Sequence, residues 1–158
     1  MILVTVGSTL FPFPRMAKLV KNLAKANGSR EKIIFQYGHT PPSNINKNIE
    51  LYPFMSHENL MAYMRRARII ICHGGPATIY QALSFGKIPW VLPREKRFGE
   101  HVNDHQVDFG QFMNNRKYIN IITKQTNIVK ICTSSRTMKP LHHQSQKLVE
   151  FLDSLTEE

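Results

Sequence analysis

Two histidines, a glutamate and an aspartate fall within the nine residues "FGEHVNDHQ", Phe98 to Gln106. Three kinds of chemistry suit those types. His101 and His105 stand four apart, which on a helix sets both imidazoles on one face, as a zinc site needs, although the sequence shows no evident third ligand. A histidine beside a carboxylate can also move protons as an acid–base pair. The third possibility is a polar grip. Glu100, Asn103, Asp104, His105 and Gln106 place several donors and acceptors on one short stretch.

Two glycine-containing clusters carry a second kind of chemistry. "GST" (Gly7, Ser8, Thr9) follows an apolar run, and its small residues let backbone N–H groups approach a ligand. "HGGPAT" (73–78) follows another. There Gly74 and Gly75 free the loop, and Pro76 suits a first helical turn that would include Thr78. A helix N-terminus after a glycine loop is a phosphate cradle, through exposed N–H groups and the helix dipole. Neither loop is a Walker A motif or a GxGxxG fingerprint. Gly-Gly-Pro alone is a weak signal, because such turns also end strands for steric reasons. His73 reads either as a structural histidine at the end of a strand or as a ligand contact.

The elements that must position these clusters alternate along the chain. Apolar runs at 2–7, 32–38, 49–54, 68–73, 88–93 and 118–123 read as strands. Met16, Leu19, Val20 and Leu23 recur at helical spacing before Asn27-Gly28. Ser56 is a good N-cap for a helix with Leu60, Tyr63 and Met64 as its apolar stripe. Further helices are expected after Gly75, from about Val102 to Asn114, and over 142–156, where Leu148, Phe151, Leu152 and Leu155 share a face. This alternation predicts one α/β domain over 1–158, a doubly wound, Rossmann-like parallel sheet of about six strands. In such a sheet ligands bind beyond the carboxyl ends of the strands, where both glycine clusters and "FGEHVNDHQ" fall.

The bulk properties narrow the classes. An apolar content of 42% and a charged content of 20% describe an ordinary soluble globular protein. Nothing reaches the length of a membrane-spanning helix, and "MILVTVGS" has neither the basic region nor the apolar length of a signal peptide. Cys72, ending an apolar run, reads as a buried reduced thiol in a cytosolic protein, and with Cys132 matches no ligand spacing. Lys and Arg outnumber Asp and Glu by 21 to 11, a formal +10 that favours an anionic partner: nucleic acid, acidic lipid headgroups or a phosphorylated substrate. The basic residues are dispersed (Lys18, Lys21, Lys25; Arg65, Arg66, Arg68; Arg94, Lys96, Arg97) and read as solvated faces, which argues against a nucleic-acid groove.

With "HGGPATIYQALSFGKIPWVLPR" and "FGEHVNDHQ" both placed, the sequence resembles the donor-binding, C-terminal half of family 28 glycosyltransferases. These have the two-Rossmann-domain (GT-B) architecture, of which this chain would be one half. The resemblance covers roughly residues 1–122. It is nearest to split members in which that half is a separate chain: the catalytic subunit of the eukaryotic dolichol-pathway UDP-GlcNAc transferase, and bacterial capsule and exopolysaccharide glycosyltransferases. The form "GEHVNDHQ" looks like that of the bacterial branch.

The resemblance implies a role for each matched residue. Gly7, Ser8 and Thr9 would face the diphosphate. Phe54 and Met55 would lie where backbone reads the uracil, though Met55 equally suits a core position. His73 would adjoin the donor, and Gly74, Gly75, Pro76 and Thr78 would form the second phosphate-facing turn. Gln81 replaces a ribose-contacting glutamate of the peptidoglycan branch, so its contact would carry no charge. Asp104, His105 and Gln106 match an Asp-x-Gln element that holds the sugar, with Glu100 and Asn103 in the same motif. Pro14 stands where an acidic residue is usual and is given no role. The expected activity is inverting transfer of a hexose, galactose preferred, from a UDP-sugar to a lipid-diphosphate-linked sugar. UDP-glucuronic acid and UDP-GlcNAc remain open as donors, and His101 or His105, or the partner, could supply the base. No DxD motif is present, and neither a metal nor a cofactor is expected. The acceptor half would belong to a membrane-anchored partner subunit, placing the chain in the cytoplasm, peripheral to the inner face of the plasma membrane. Two rival readings are a nucleotide-sugar-binding regulatory subunit without turnover and a basic nucleic-acid-associated Rossmann domain. A sugar-nucleotide epimerase would use a similar site, but carries both Rossmann halves in one chain.

Overall fold

The computed structural model describes residues 1–28, 30–43, 48–134 and 137–138. In chain order it contains β1 (Ile2–Thr5), α1 (Pro14–Asn27), β2 (Ile33–Gln36), β3 (Ile49–Tyr52), α2 (His57–Arg66), β4 (Ile69–Cys72), α3 (Pro76–Ser84), β5 (Trp90–Val91), α4 (His105–Asn115), β6 (Asn120–Ile121) and α5 (Ile128–Thr133). The strands form one sheet in the order β3-β2-β1-β4-β5-β6. Every pair in it is parallel. The expected doubly wound architecture is therefore present, with its order reversing between β1 and β4.

Burial explains why the strand sequences are apolar throughout. Successive side chains of a strand point to opposite faces, and here helices cover both. Ile2, Val4, Ile69 and Ile71 pack with Met16, Leu19, Val20 and Leu23 of α1 and Ile131 of α5. Leu3, Ile34 and Ile70 face the other way, onto Met64 of α2 and Ala82 of α3. The third cluster joins Cys72, Val91 and Ile79 to Phe109 and Met113 of α4. Both cysteines are buried and unbridged, and burial pushes the Cys72 thiol up to about 12.

The pairing stops short of the apolar runs for local reasons. After Thr5 the chain turns at Gly7, whose φ of 75° leaves the extended region. β5 is confined to two residues between Pro89 and Pro93, neither of which can donate to a ladder. The helix expected from Val102 begins instead at His105, because Asp104 Oδ1 accepts from Lys96 N at 2.8 Å and holds the preceding residues as a loop. Ser56 caps α2 as expected, accepting from Asn59 N at 3.2 Å. The run Ile128–Thr133, not assigned above, forms α5 under an Asn127 cap. The expected helix over 142–156 lies outside the described residues. No helix among the described residues is long and apolar enough to cross a membrane.

The solvated reading of the basic residues needs correction at two positions. Arg68 is tied to Glu31 and donates to the carbonyls of Cys132 and Ser134, closing the α5 end of the fold onto β4. That guanidinium is the main cause of a Glu31 carboxyl lowered to about 2. Arg94 is only 1% exposed.

Candidate functional site

Register brings the two glycine clusters together. Thr5 of β1 pairs with Cys72 of β4, so Val6-Gly7 and His73-Gly74 leave the sheet side by side at the switch point. The His73 ring occupies the space between the loops. A Cβ on Gly7 would lie 2.7 Å from its Cε1 and Nε2, and a Cβ on Gly75 would lie 2.4 Å from its Nε2. Gly7 and Gly75 are thus glycines because an imidazole is clasped between them, and His73 acts as a spacer. Its Nδ1 is buried without a hydrogen-bond partner. Burial, helped by the nearby Arg94 and His101, pushes the imidazole down to about 3, so it stays neutral.

The linkage has a definite sign. Below about 6.5 the unfolded chain binds a proton on His73 that the folded chain refuses until pH falls to about 3. Stability contributed by His73 is therefore complete above 6.5 and declines as pH drops toward 3, with a limiting slope of about 1.4 kcal/mol per pH unit. Urea denaturation at stepped pH is expected to show this slope in the wild type and a flatter one in His73→Asn.

Gln106, at the second position of α4 and 9% exposed, fastens the next loop. Its Oε1 accepts from Gly74 N at 3.1 Å and from Arg94 N at 3.2 Å. Two backbone donors on one oxygen fix the amide orientation and leave the NH₂ as the end able to donate to a ligand. A Cβ on Gly74 would lie 2.7 Å from Gln106 Cβ and 3.0 Å from its backbone oxygen. Here too a glycine is required by close approach.

The rest of "FGEHVNDHQ" divides its labour. Glu100 is fully buried. Its carboxylate takes Arg15 Nε at 2.9 and 3.0 Å and Glu95 N at 3.2 Å, so it braces the loop from inside, away from any solvent-facing grip. Asn103 Oδ1 accepts from His105 N at 3.4 Å, while Asp104 and His105 are exposed at the start of α4. His101 is half-buried, with its ring centroid 5.9 Å from that of Phe11. It precedes α4 whereas His105 opens it, so the two imidazoles do not share a helix face and the zinc geometry does not form. Among the described residues no three His, Cys, Asp or Glu side chains group to hold a metal.

The other expected residues line the same edge. Ser8 is exposed and Thr9 half-buried on the loop after β1. Phe54 is 47% exposed at the end of β3, edge-on to His39 at 5.2 Å. Met55 packs onto the α2–α3 core, so its side chain is structural and its backbone remains at the edge. Pro76 and Thr78 occupy the first turn of α3, and Gln81 lies half-buried one turn further. That first turn has neither a side-chain cap nor an acidic residue, in contrast to α2, which has both Ser56 and Glu58. An uncapped, uncharged helix start suits an anion.

Two positioning residues escaped the sequence reading. Gln36, buried in β2, accepts from Thr5 Oγ1 at 2.6 Å and Val6 N at 3.2 Å, and donates to Gly7 O at 2.9 Å and Pro53 O at 3.1 Å. It thereby fixes the loops after β1 and β3 against each other. Arg94 does the same for the loops after β1 and β5. The available signal was a polar residue embedded in or ending an apolar run, "IIFQYG" and "WVLPR".

Comparison with known proteins identifies the family and the fold. The family model "Glycosyltransferase family 28 C-terminal domain" matches residues 1–156. No curated protein matches the chain. Among solved structures, the solution structure of ALG13 is 14% identical with a TM-score of 0.60, covering 99% of this chain and 96% of that one. MurG of Acinetobacter baumannii is 16% identical with a TM-score of 0.53, covering 98% of this chain and 49% of its own. The glycosyltransferase SnogD of Streptomyces nogalater is 17% identical with a TM-score of 0.58, covering 95% and 43%. At these identities the likeness shows the fold, and the chain spans less than half the length of the last two. The family match over nearly the whole sequence, on a fold that is one half of the GT-B architecture, shows that this chain belongs to the glycosyltransferase family 28 C-terminal domain family.

Proposed function

We propose that the chain is the donor-binding half of an inverting glycosyltransferase that moves a hexose from a UDP-sugar to a lipid-diphosphate-linked acceptor. The observation that carries this reading is the pair of glycine loops clasped about His73 at the switch point, beside the uncapped start of α3. They offer, in this reading, backbone N–H groups and a positive helix end to a diphosphate. In this reading leaving-group charge is stabilised by preorganised dipoles, without a bound metal. The Phe54-Met55 segment takes the base, and the Gln106 amide and the exposed Asp104 and His105 take the sugar. His101 is the better placed of the two histidines to act as base, since it is half-buried beside the loop after β1. Galactose is the preferred hexose, and bacterial capsule or exopolysaccharide synthesis the preferred setting.

The acceptor site belongs to a partner. Leu10, Phe98 and Val102 are 79%, 44% and 60% exposed on the loops after β1 and β5. Such an apolar rim beside a polar crevice fits a surface that a second domain covers. A membrane-anchored partner would hold the chain at the cytoplasmic leaflet, where its +10 charge suits anionic headgroups.

The test is transfer itself. Membranes containing the co-expressed partner and a lipid-diphosphate-linked sugar are incubated with the chain and a panel of radiolabelled UDP-hexoses. One hexose is expected in the lipid fraction, with the product β-linked. UDP-sugar binding without transfer under any partner would instead establish the regulatory-subunit reading.

A further inference from the structure

Arg94 follows β5 and is the largest of the fully buried side chains. Its guanidinium is spent on backbone oxygens. Nη1 donates to Phe11 O at 3.0 Å, Pro12 O at 3.3 Å and Glu100 O at 3.1 Å, and Nη2 donates to Val6 O at 3.0 Å. Its Cζ lies 4.4 Å over the Phe13 ring. Val6 and Phe11 flank residues 7–10, the loop expected to face the diphosphate. One planar group therefore grips both ends of that loop and joins it to the loop after β5.

Among the described residues no carboxylate forms an ion pair with this group. Glu100, whose field favours the charged Arg94, is held by Arg15, and Glu95 by Arg15 and Arg97. Asp104 is turned to the backbone of Lys96. Counted over this cluster, Arg15, Arg94, Lys96 and Arg97 face Glu95, Glu100 and Asp104, four cations against three carboxylates. One positive charge is left over, and the buried member of the set is Arg94. Its Nε is a buried donor without a partner. Burying a cation without a directly paired carboxylate is unfavourable, and the fixed carbonyl dipoles and the field of Glu100 offset only part of that. Burial lowers the Arg94 guanidinium to about 10, which still leaves it charged at neutral pH. Its field reaches the site, since it is the second cause, after burial, of the lowered His73 imidazole.

We infer that Arg94 is a positioning residue for the donor diphosphate: it pins both ends of the Gly7–Leu10 loop and holds a resident positive charge beneath the phosphates. The inference rests on the donor-half reading and deepens it. A ligand of two negative phosphates meets a positive charge that no carboxylate among the described residues pairs with directly, in a site where no side chain has to move to supply it.

The test compares UDP with uridine, because a charge effect appears only in the former. Both are titrated against the full chain in chelator, as wild type, Arg94→Met and Arg94→Lys, with folding checked by circular dichroism and thermal melts. Wild type is expected to prefer UDP to uridine by about tenfold or more, the worth of roughly one well-placed charge. Arg94→Met is expected to lose most of that preference, with uridine affinity changed by less than about threefold. Arg94→Lys keeps the charge and loses the fork, so it is expected to retain most of the preference for UDP, with uridine affinity again changed by less than about threefold. Equal weakening of UDP and uridine in a folded Arg94→Met would overturn the inference and leave Arg94 a structural brace. Should Arg94→Met not fold, collapse of the preference in Arg94→Lys overturns it equally. Wild type binding neither nucleotide removes the donor-half reading, and the inference with it.

Discussion

Gly74→Ala is expected to weaken UDP binding by more than about tenfold and to lower folding stability by about 1–3 kcal/mol. The new methyl would stand 2.7 Å from Gln106 Cβ and 3.0 Å from its backbone oxygen. Neither is the far end of a flexible side chain. Both belong to the start of α4, so relief requires the helix and the loop after β4 to move apart. That motion stretches the 3.1 Å bond from Gly74 N to Gln106 Oε1 and displaces the turn that opens α3. The loss thus falls on stability and on ligand affinity together. Gly110→Ala supplies the internal control. That glycine lies in the same helix, its Cβ would approach nothing nearer than 3.7 Å, and alanine is the better helix former by about 1 kcal/mol. The control is expected to leave UDP affinity unchanged and to raise the melting temperature slightly. Chemical denaturation and calorimetric titration of the two variants check both halves of the prediction.

Substitution of Gln106 separates brace from contact. Gln106→Ala removes the acceptor of two buried N–H groups, those of Gly74 and Arg94. Each orphaned donor is worth about 1–3 kcal/mol, so the loss of stability is expected to be among the largest of any single substitution at this edge. Gln106→Glu keeps an oxygen where those donors point but lacks the NH₂, and it adds a negative charge beside the expected phosphates. Its stability is expected to stay within about 1 kcal/mol of wild type while UDP-sugar affinity falls about tenfold or more. If Gln106→Glu bound the donor as well as wild type does, the amide would be a brace alone.

The alternation of apolar runs with 3.6-periodic segments was enough to read the sheet, because a parallel strand buried on both faces leaves a continuous hydrophobic signature. The switch-point location of the glycine loops followed from that topology alone. Boundaries were less legible. Gly7 ends β1 by its positive φ and the flanking prolines confine β5, whereas hydrophobicity runs on past both. Polar residues proved hardest to assign. Glu100 stands in a motif that reads as a ligand grip, yet it is buried against Arg15. Arg94 sits in a basic cluster that reads as solvated, yet it is among the most deeply buried side chains. Sequence periodicity does not record which carbonyls a guanidinium will meet, since Val6, Phe11 and Glu100 come from segments far apart in the chain. The His73 spacer was hidden for the same reason: Gly7 and Gly75 are 68 positions apart and are linked only through its ring.

If the proposed nucleoside-diphosphate site at the β1–β4 switch point is formed by this chain alone, the chain binds UDP without a partner. Calorimetric titration of the purified, folded chain with UDP in the presence of chelator is expected to show saturable one-to-one binding that weakens in Gly74→Ala. Absence of a saturable signal at millimolar UDP, from protein shown to be folded, would contradict that proposal.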